Sequence, residues 1–234
     1  VDSTVRLNQG TVKTRVIKRE PRSHFRTITP SAVAAVRGTE YRVNAVPNKP
    51  EKKQSASTRV EVYRGLVDVS ADDVMYPVPA SFGIVAKQGE VLQAPVKLLE
   101  KPIFINFDAR QTKVLDATGA ITTGAFFEWQ SVPQASEYQL SILASQQGKE
   151  HTEKLLKRYR LESTDVTLNE LEAGCYQVSL RAVDSLGLEG LAAQQPFCLT
   201  QQVVPSVAHA VGETPDKPIW PALIPIGLFL LVIL

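Results

Sequence analysis

The chain has 234 residues, of which 44% are hydrophobic and 21% charged, and a formal net charge of +2. That is enough apolar material to bury real cores, and two domains of ordinary size are expected. The charge is uneven: residues 1–60 hold 13 Lys and Arg against 4 Asp and Glu, whereas residues 61–234 hold 13 against 20. A basic N-terminal part would suit an anionic partner such as an envelope polymer, a lipid headgroup or an acidic protein surface. Lys13, Arg15 and Lys18 instead alternate with apolar residues as on a half-exposed sheet, so a solvated strand face is the preferred reading. Nucleic acid is not expected as a partner, because no zinc-ligand spacing, recognition helix or aromatic-studded basic strand accompanies the charge.

The chain begins with Val1, and no charged-then-apolar leader precedes it, the pattern of a processed product with more sequence expected upstream. A weak repeat, apolar-x-apolar-x-x-Gly, then occurs as Val5, Leu7, Gly10; Val33, Ala35, Gly38; Val60, Val62, Gly65; and Ile84, Ala86, Gly89, with the glycines 24 to 28 residues apart. Three copies resume with Val two positions on, at Val12, Val67 and Val91, which predicts a strand, a tight glycine turn and a returning strand. The period predicts hairpins stacked or rolled on one another, as a β-roll or a sandwich.

Within this region Thr29 to Val43 is the organising stretch. Ala32 to Val36 is an apolar run of strand length that leads to the turn glycine Gly38. Tyr41 and Val43 then fall on one face, and Glu40, Arg42 and Asn44 on the other, as in a strand covered on one side. Arg37 and Arg42, joined across the sheet by Arg15 and Arg26, form a candidate interaction face. The blander alternative has Arg37 bonded to turn carbonyls or paired with Glu40. Val46 to Ser57, with two prolines and three lysines, reads as an exposed loop. Asp72 and Asp73 read as a solvated turn rather than a cation site.

Arg37, Gly38 and Thr39 followed by Tyr41 and Val43, with the later stretches STRVEVYRGLVDVS and FGIVAKQGEVLQAPVKLLEKP, resemble the FecR family of periplasmic all-β modules of Gram-negative bacteria. The likeness runs from about Thr4 to about Pro102. Its closing segment is similar to that of a subgroup often carrying a peptidoglycan-binding LysM module upstream. The resemblance implies a FecR-type β-roll or sandwich over residues 1–102. The sigma-regulating members have a cytoplasmic helical segment and an N-terminal membrane span not seen here, so anti-sigma activity is not implied.

Residues 103–200 change pattern and are expected to form a second domain. Trp129 sits in a strand, a turn follows around Pro133 and Ala135, and Tyr138, Leu140 and Ile142 alternate. Leu171, Gly174 and Tyr176 resemble the tyrosine corner of fibronectin type III sandwiches, in which the hydroxyl ties a strand to the preceding loop. Between Gly148 and Glu162 the likeness is vague, and HTEKLLKRYR is left open as a helical turn. The two cysteines fall opposite each other if a hairpin across DSLGLEG is centred between Leu186 and Gly187. With Tyr176, Val178, Leu180, Phe197 and Leu199 inward, Cys175 and Cys198 both point outward, and a disulfide between them is predicted. Such a bond persists outside the cytosol.

Residues 201–218 read as a polar linker leading to an uncharged run over residues 219–234. Sixteen helical residues reach about 24 Å, short of a hydrocarbon core of roughly 30 Å, so the run is expected to be a truncated transmembrane helix. Trp220 is expected in an interfacial place, and with Leu223, Ile224, Leu228, Phe229, Leu230 and Leu231 it forms the expected membrane anchor. A buried C-terminal helix is the alternative, but an all-β sandwich offers no groove for it.

No catalytic constellation, cofactor motif or metal-ligand set is present. His24, His151 and His209 are scattered, and there is no nucleophile elbow, phosphate loop or dinucleotide fingerprint. The expectation is therefore a non-enzymatic all-β protein held in the bacterial inner membrane with its domains in the periplasm. It would act as a scaffold binding another envelope protein or a cell-wall polymer. The alternative is a FecR-like component relaying a signal across the membrane.

Overall fold

A computed structural model describes residues 3–16, 25–36, 38–48, 50–52, 54–144 and 154–204. The predicted span over 219–234, most of the predicted linker, Arg37 and all three histidines lie outside the described residues. No helix among the described residues is long and apolar enough to cross a membrane.

The first module is a two-sheet roll of ten strands: β1 (Ser3–Arg6), β2 (Gly10–Arg15), β3 (Phe25–Ile28), β4 (Val33–Val36), β5 (Glu40–Val46), β6 (Ser57–Arg64), β7 (Leu66–Ala71), β8 (Val74–Pro79), β9 (Phe82–Lys87) and β10 (Val96–Lys97). One sheet has the order β1-β3-β4-β7-β8 and the other β10-β9-β6-β5-β2. Tyr41, Val43, Val60 and Val62 of the second sheet pack against Ala34, Val36, Val67, Val69 and Val78 of the first, and all of them are buried. The Tyr41 hydroxyl lies 2.8 Å from Thr27 Oγ1, so the large aromatic is satisfied where it crosses the core.

The glycine repeat marks real turns: Gly89 lies in the connection between the antiparallel strands β9 and β10, whereas at Gly38 and Gly65 the chain changes sheet instead of forming the expected hairpin. Gly38, at φ +73°, carries the chain from β4 in one sheet to β5 in the other, and Gly65, at φ +86°, returns it from β6 to β7. A Cβ at Gly65 would come within 2.8 Å of Thr39 Cγ2, so both backbone angle and space require glycine. The hydrogen-bonded hairpins lie between these corners: β3 pairs with β4, β5 with β6 and β7 with β8. Asp72 and Asp73 form the two-residue turn of the last, with Asp72 at φ +48°.

The second module has nine strands: β11 (Phe104–Ile105), β12 (Arg110–Leu115), β13 (Ile121–Thr123), β14 (Ala125–Trp129), β15 (Glu137–Ala144), β16 (Leu155–Leu161), β17 (Asp165–Leu168), β18 (Gly174–Val183) and β19 (Ala193–Val203). They form a sandwich of a three-stranded sheet, β11-β14-β17, and a six-stranded sheet, β13-β12-β19-β18-β15-β16. Trp129, Phe127, Leu140, Ile142, Val178, Leu180, Phe197 and Leu199 fill its core. The Tyr176 hydroxyl donates to the Glu172 carbonyl at 2.9 Å, the link expected of a tyrosine corner. The LKRYR stretch left open as a helical turn is instead strand β16, because pairing with β15 satisfies its backbone. Strand β19 continues to Val203, three residues into the predicted linker.

Cys175 stands opposite Cys198 in the β18–β19 ladder, and a disulfide joins them. Among the described residues no strand ladder links the two modules; the chain passes between them after Lys97 and before Phe104.

Candidate functional site between the two modules

The modules meet where the outer face of β5 and β6 receives the loop that follows β18. Asp184 shapes that loop: its Oδ1 accepts from the amides of Leu186 and Leu188, both at 2.9 Å, and Gly187 takes φ +76°. The tight loop presents Leu188 and Glu189 in succession. Leu188, 1% exposed, packs onto Gly83, where a Cβ would come within 3.1 Å of it. The Leu191 amide donates to the Leu99 carbonyl at 2.9 Å, which ties the end of the loop to the connector between the modules.

Glu189 enters a buried charge cluster. Arg42 and Glu61 are cross-strand partners, and the guanidinium binds the carboxylate through two bonds, Nη2 to Oε1 at 2.7 Å and Nε to Oε2 at 3.2 Å. Arg42 Nη1 also pairs with Glu189, whose backbone amide donates to Glu61 Oε1 at 3.2 Å. Arg181 of β18 donates to the Gly190 carbonyl at 2.7 Å and lies with its Cζ 4.6 Å from the centre of the Tyr63 ring.

Burial pushes the Glu61 carboxyl above the ordinary carboxylate range, and the facing Arg42 opposes that shift. Burial works against the Arg42 charge too, but Glu61 and Glu189 outweigh it and hold the guanidinium protonated. Tyr63, whose buried hydroxyl has no hydrogen-bond partner among the described residues, is pushed up to about 12, chiefly by burial.

The predicted interaction face is not assembled. Arg42 has the predicted alternation but is only 7% exposed, because the second module covers the face expected to be open. Arg15 is exposed on the edge strand β2, and Arg26 is exposed on β3 in the opposite sheet. Arg37 lies outside the described residues. Sequence reasoning missed Glu61, Tyr63, Arg181 and Glu189. The alternation in VEVY is the one signal that could have put Glu61 and Tyr63 on an outward face, but no local signal points to a partner 128 residues further along the chain.

Beside this cluster lies a cleft of about 360 Å³, walled by β2, β5 and β6 on one side and by β15, β16 and the loop after β18 on the other. No group of three His, Cys, Asp or Glu residues among the described residues is placed to hold a metal ion.

Among solved structures, a proposed anti-sigma factor from Parabacteroides distasonis aligns with 14% identity and a TM-score of 0.35, covering 50% of this chain and 60% of its own. The chain thus spans less than two thirds of that neighbour. An Fn3-like protein from Clostridium thermocellum aligns with 23% identity and a TM-score of 0.27, covering 44% of this chain and 96% of its own. No curated protein matches the chain. The family model described as FecR protein matches residues 1–68, which carry β1 to β6 and the start of β7.

Proposed function

We propose that the chain is a non-enzymatic component of a FecR-like signal relay, with both modules in the periplasm and residues 219–234 in the inner membrane. The observation that carries the reading is the match of residues 1–68 to the FecR model. The disulfide supports an oxidising compartment. The junction supports a relay, because Arg42 and Glu61 of the first module are bonded directly to Glu189 of the second, so an event on one module reaches the other through a packed contact. The partner in this reading is another envelope or membrane protein. The scaffold expectation has no observation of its own.

The test is a deletion of the gene in its native bacterium with measurement of all transcripts. A relay predicts a defined set of altered genes, restored by the wild-type chain and not by a chain carrying Glu189→Gln with Arg181→Gln. Unaltered transcripts, with loss of a cross-linked envelope complex, would replace the relay by a scaffold.

A further inference from the structure

The cleft between the modules has a charge surplus that the buried cluster does not use. Arg42 and Arg181 offset Glu61 and Glu189. Beyond them, among the described residues, the walls carry Arg59, Arg158 and Arg160 against Glu137.

The placement of these arginines follows from strand register. Tyr138, Leu140 and Ile142 of β15 point into the core of the second module, so Gln139 and Ser141 point the other way, toward the first. Arg160 is the ladder partner of Gln139, and Arg158 of Ser141, so both guanidinium groups share that outward face. The opposite wall is the outer face of β5 and β6, where Arg59 Nη1 donates to Asn44 Oδ1 at 3.4 Å and its guanidinium lies against Gly187. Arg59 is thereby held toward the cleft, and Arg160 reaches Glu137 at 3.5 Å. Walls with several guanidinium groups and side-chain amides, enclosing about 360 Å³, match the size of a small-molecule site. They match the chemistry of a planar or tetrahedral oxyanion.

We propose that this cleft binds a small solute bearing phosphate or carboxylate groups, gripped between Arg59 of the first module and Arg158 and Arg160 of the second. The site stands independently of the relay reading. Because its walls belong to different modules, occupancy and module docking are thermodynamically linked.

The test is calorimetric titration of the full chain in detergent micelles at constant ionic strength, with inorganic pyrophosphate and citrate as probes. Saturable one-to-one binding of at least one probe is expected, with Kd below about 1 mM. Arg158→Gln with Arg160→Gln, and separately Arg59→Gln, should weaken it by at least about tenfold, the factor for one lost bond to a charged group. Arg26→Gln, on the far sheet, should leave it unchanged. Binding of pyrophosphate alone marks a phosphate ligand, and of citrate alone a carboxylate. Should the double variant lose its fold by circular dichroism, the Arg59 variant decides. Absence of saturable binding by both probes overturns the proposal. So does undiminished binding by the cleft variants, or an equal loss in Arg26→Gln.

Discussion

Replacing Arg42 by Met strips the junction of its central charge, and the loss can be worked from the contacts it makes. The side chain is 9% exposed, Glu61 is fully buried and Glu189 is 14% exposed, so neither carboxylate can turn to bulk water without opening the junction. Met fills much of the arginine stem, so the cavity left is small and the main effect is electrostatic. Among the described residues Glu61 would keep the Glu189 amide at 3.2 Å, beside a second carboxylate. Removing one partner of a buried pair costs about 3–5 kcal/mol.

The loss should shrink as pH falls. Glu61 already has a raised folded-state pKa, and without Arg42 it rises further, so the folded state takes up a proton at a pH where the unfolded chain does not. Stability then declines as pH rises through the folded-state value. Adding Glu61→Gln to Arg42→Met should recover part of the loss by removing the orphaned charge. Urea unfolding of the full chain, followed by circular dichroism and by tryptophan fluorescence, measures each. A loss under about 1 kcal/mol, the value of an exposed ion pair, would refute the buried junction, as would a double variant no more stable than Arg42→Met.

Reducing the Cys175–Cys198 bond, which closes a sequence separation of 23, should lower stability by about 3 kcal/mol in the chain-entropy model; equal urea midpoints with and without reductant would count against it. Tyr63, pushed up to about 12, contributes stability that is fully present below pH 10 and is lost as pH rises through 12, up to roughly 2–3 kcal/mol. Tyr63→Phe should flatten that alkaline decline while leaving neutral stability equal or higher, because its hydroxyl has no partner among the described residues; a neutral-pH loss above about 1 kcal/mol would contradict this. Gly65→Ala should cost at least about 1 kcal/mol more than Gly10→Ala, since both have positive φ but only Gly65 lacks room for a Cβ; equal melting temperatures would show that backbone angle alone matters. Deleting residues after Pro218 should release a soluble protein, and sedimentation of the truncated chain with membranes would exclude that tail as the anchor.

Much of the local structure was legible because strand alternation has a period of two. The cysteine register followed from symmetry about one turn, and Val178, Leu180, Phe197 and Leu199 are buried on the faces that alternation assigned. The glycine period found the turns for the same reason, since backbone angle is a local property. The direction of the chain after each turn is not local. Gly38 and Gly65 are compatible with a hairpin or with a corner to the facing sheet, and burial of Tyr41, Val43, Val67 and Val69 between two sheets selects the corner.

The sequence by itself determined the all-β character, the strand faces, the cysteine pairing and the turn positions, all of which rest on spacing within a few residues or symmetry about a single turn. Tertiary structure alone decided which outward faces remain open. Arg42, Arg15 and Arg26 look equivalent in the sequence, yet the first is buried against Glu61 and Glu189, and the other two are exposed on different sheets. The physical reason is that covering a polar face depends on a distant loop carrying the complementary charge and a leucine that fits beside a glycine, and neither property appears in the local pattern of either partner.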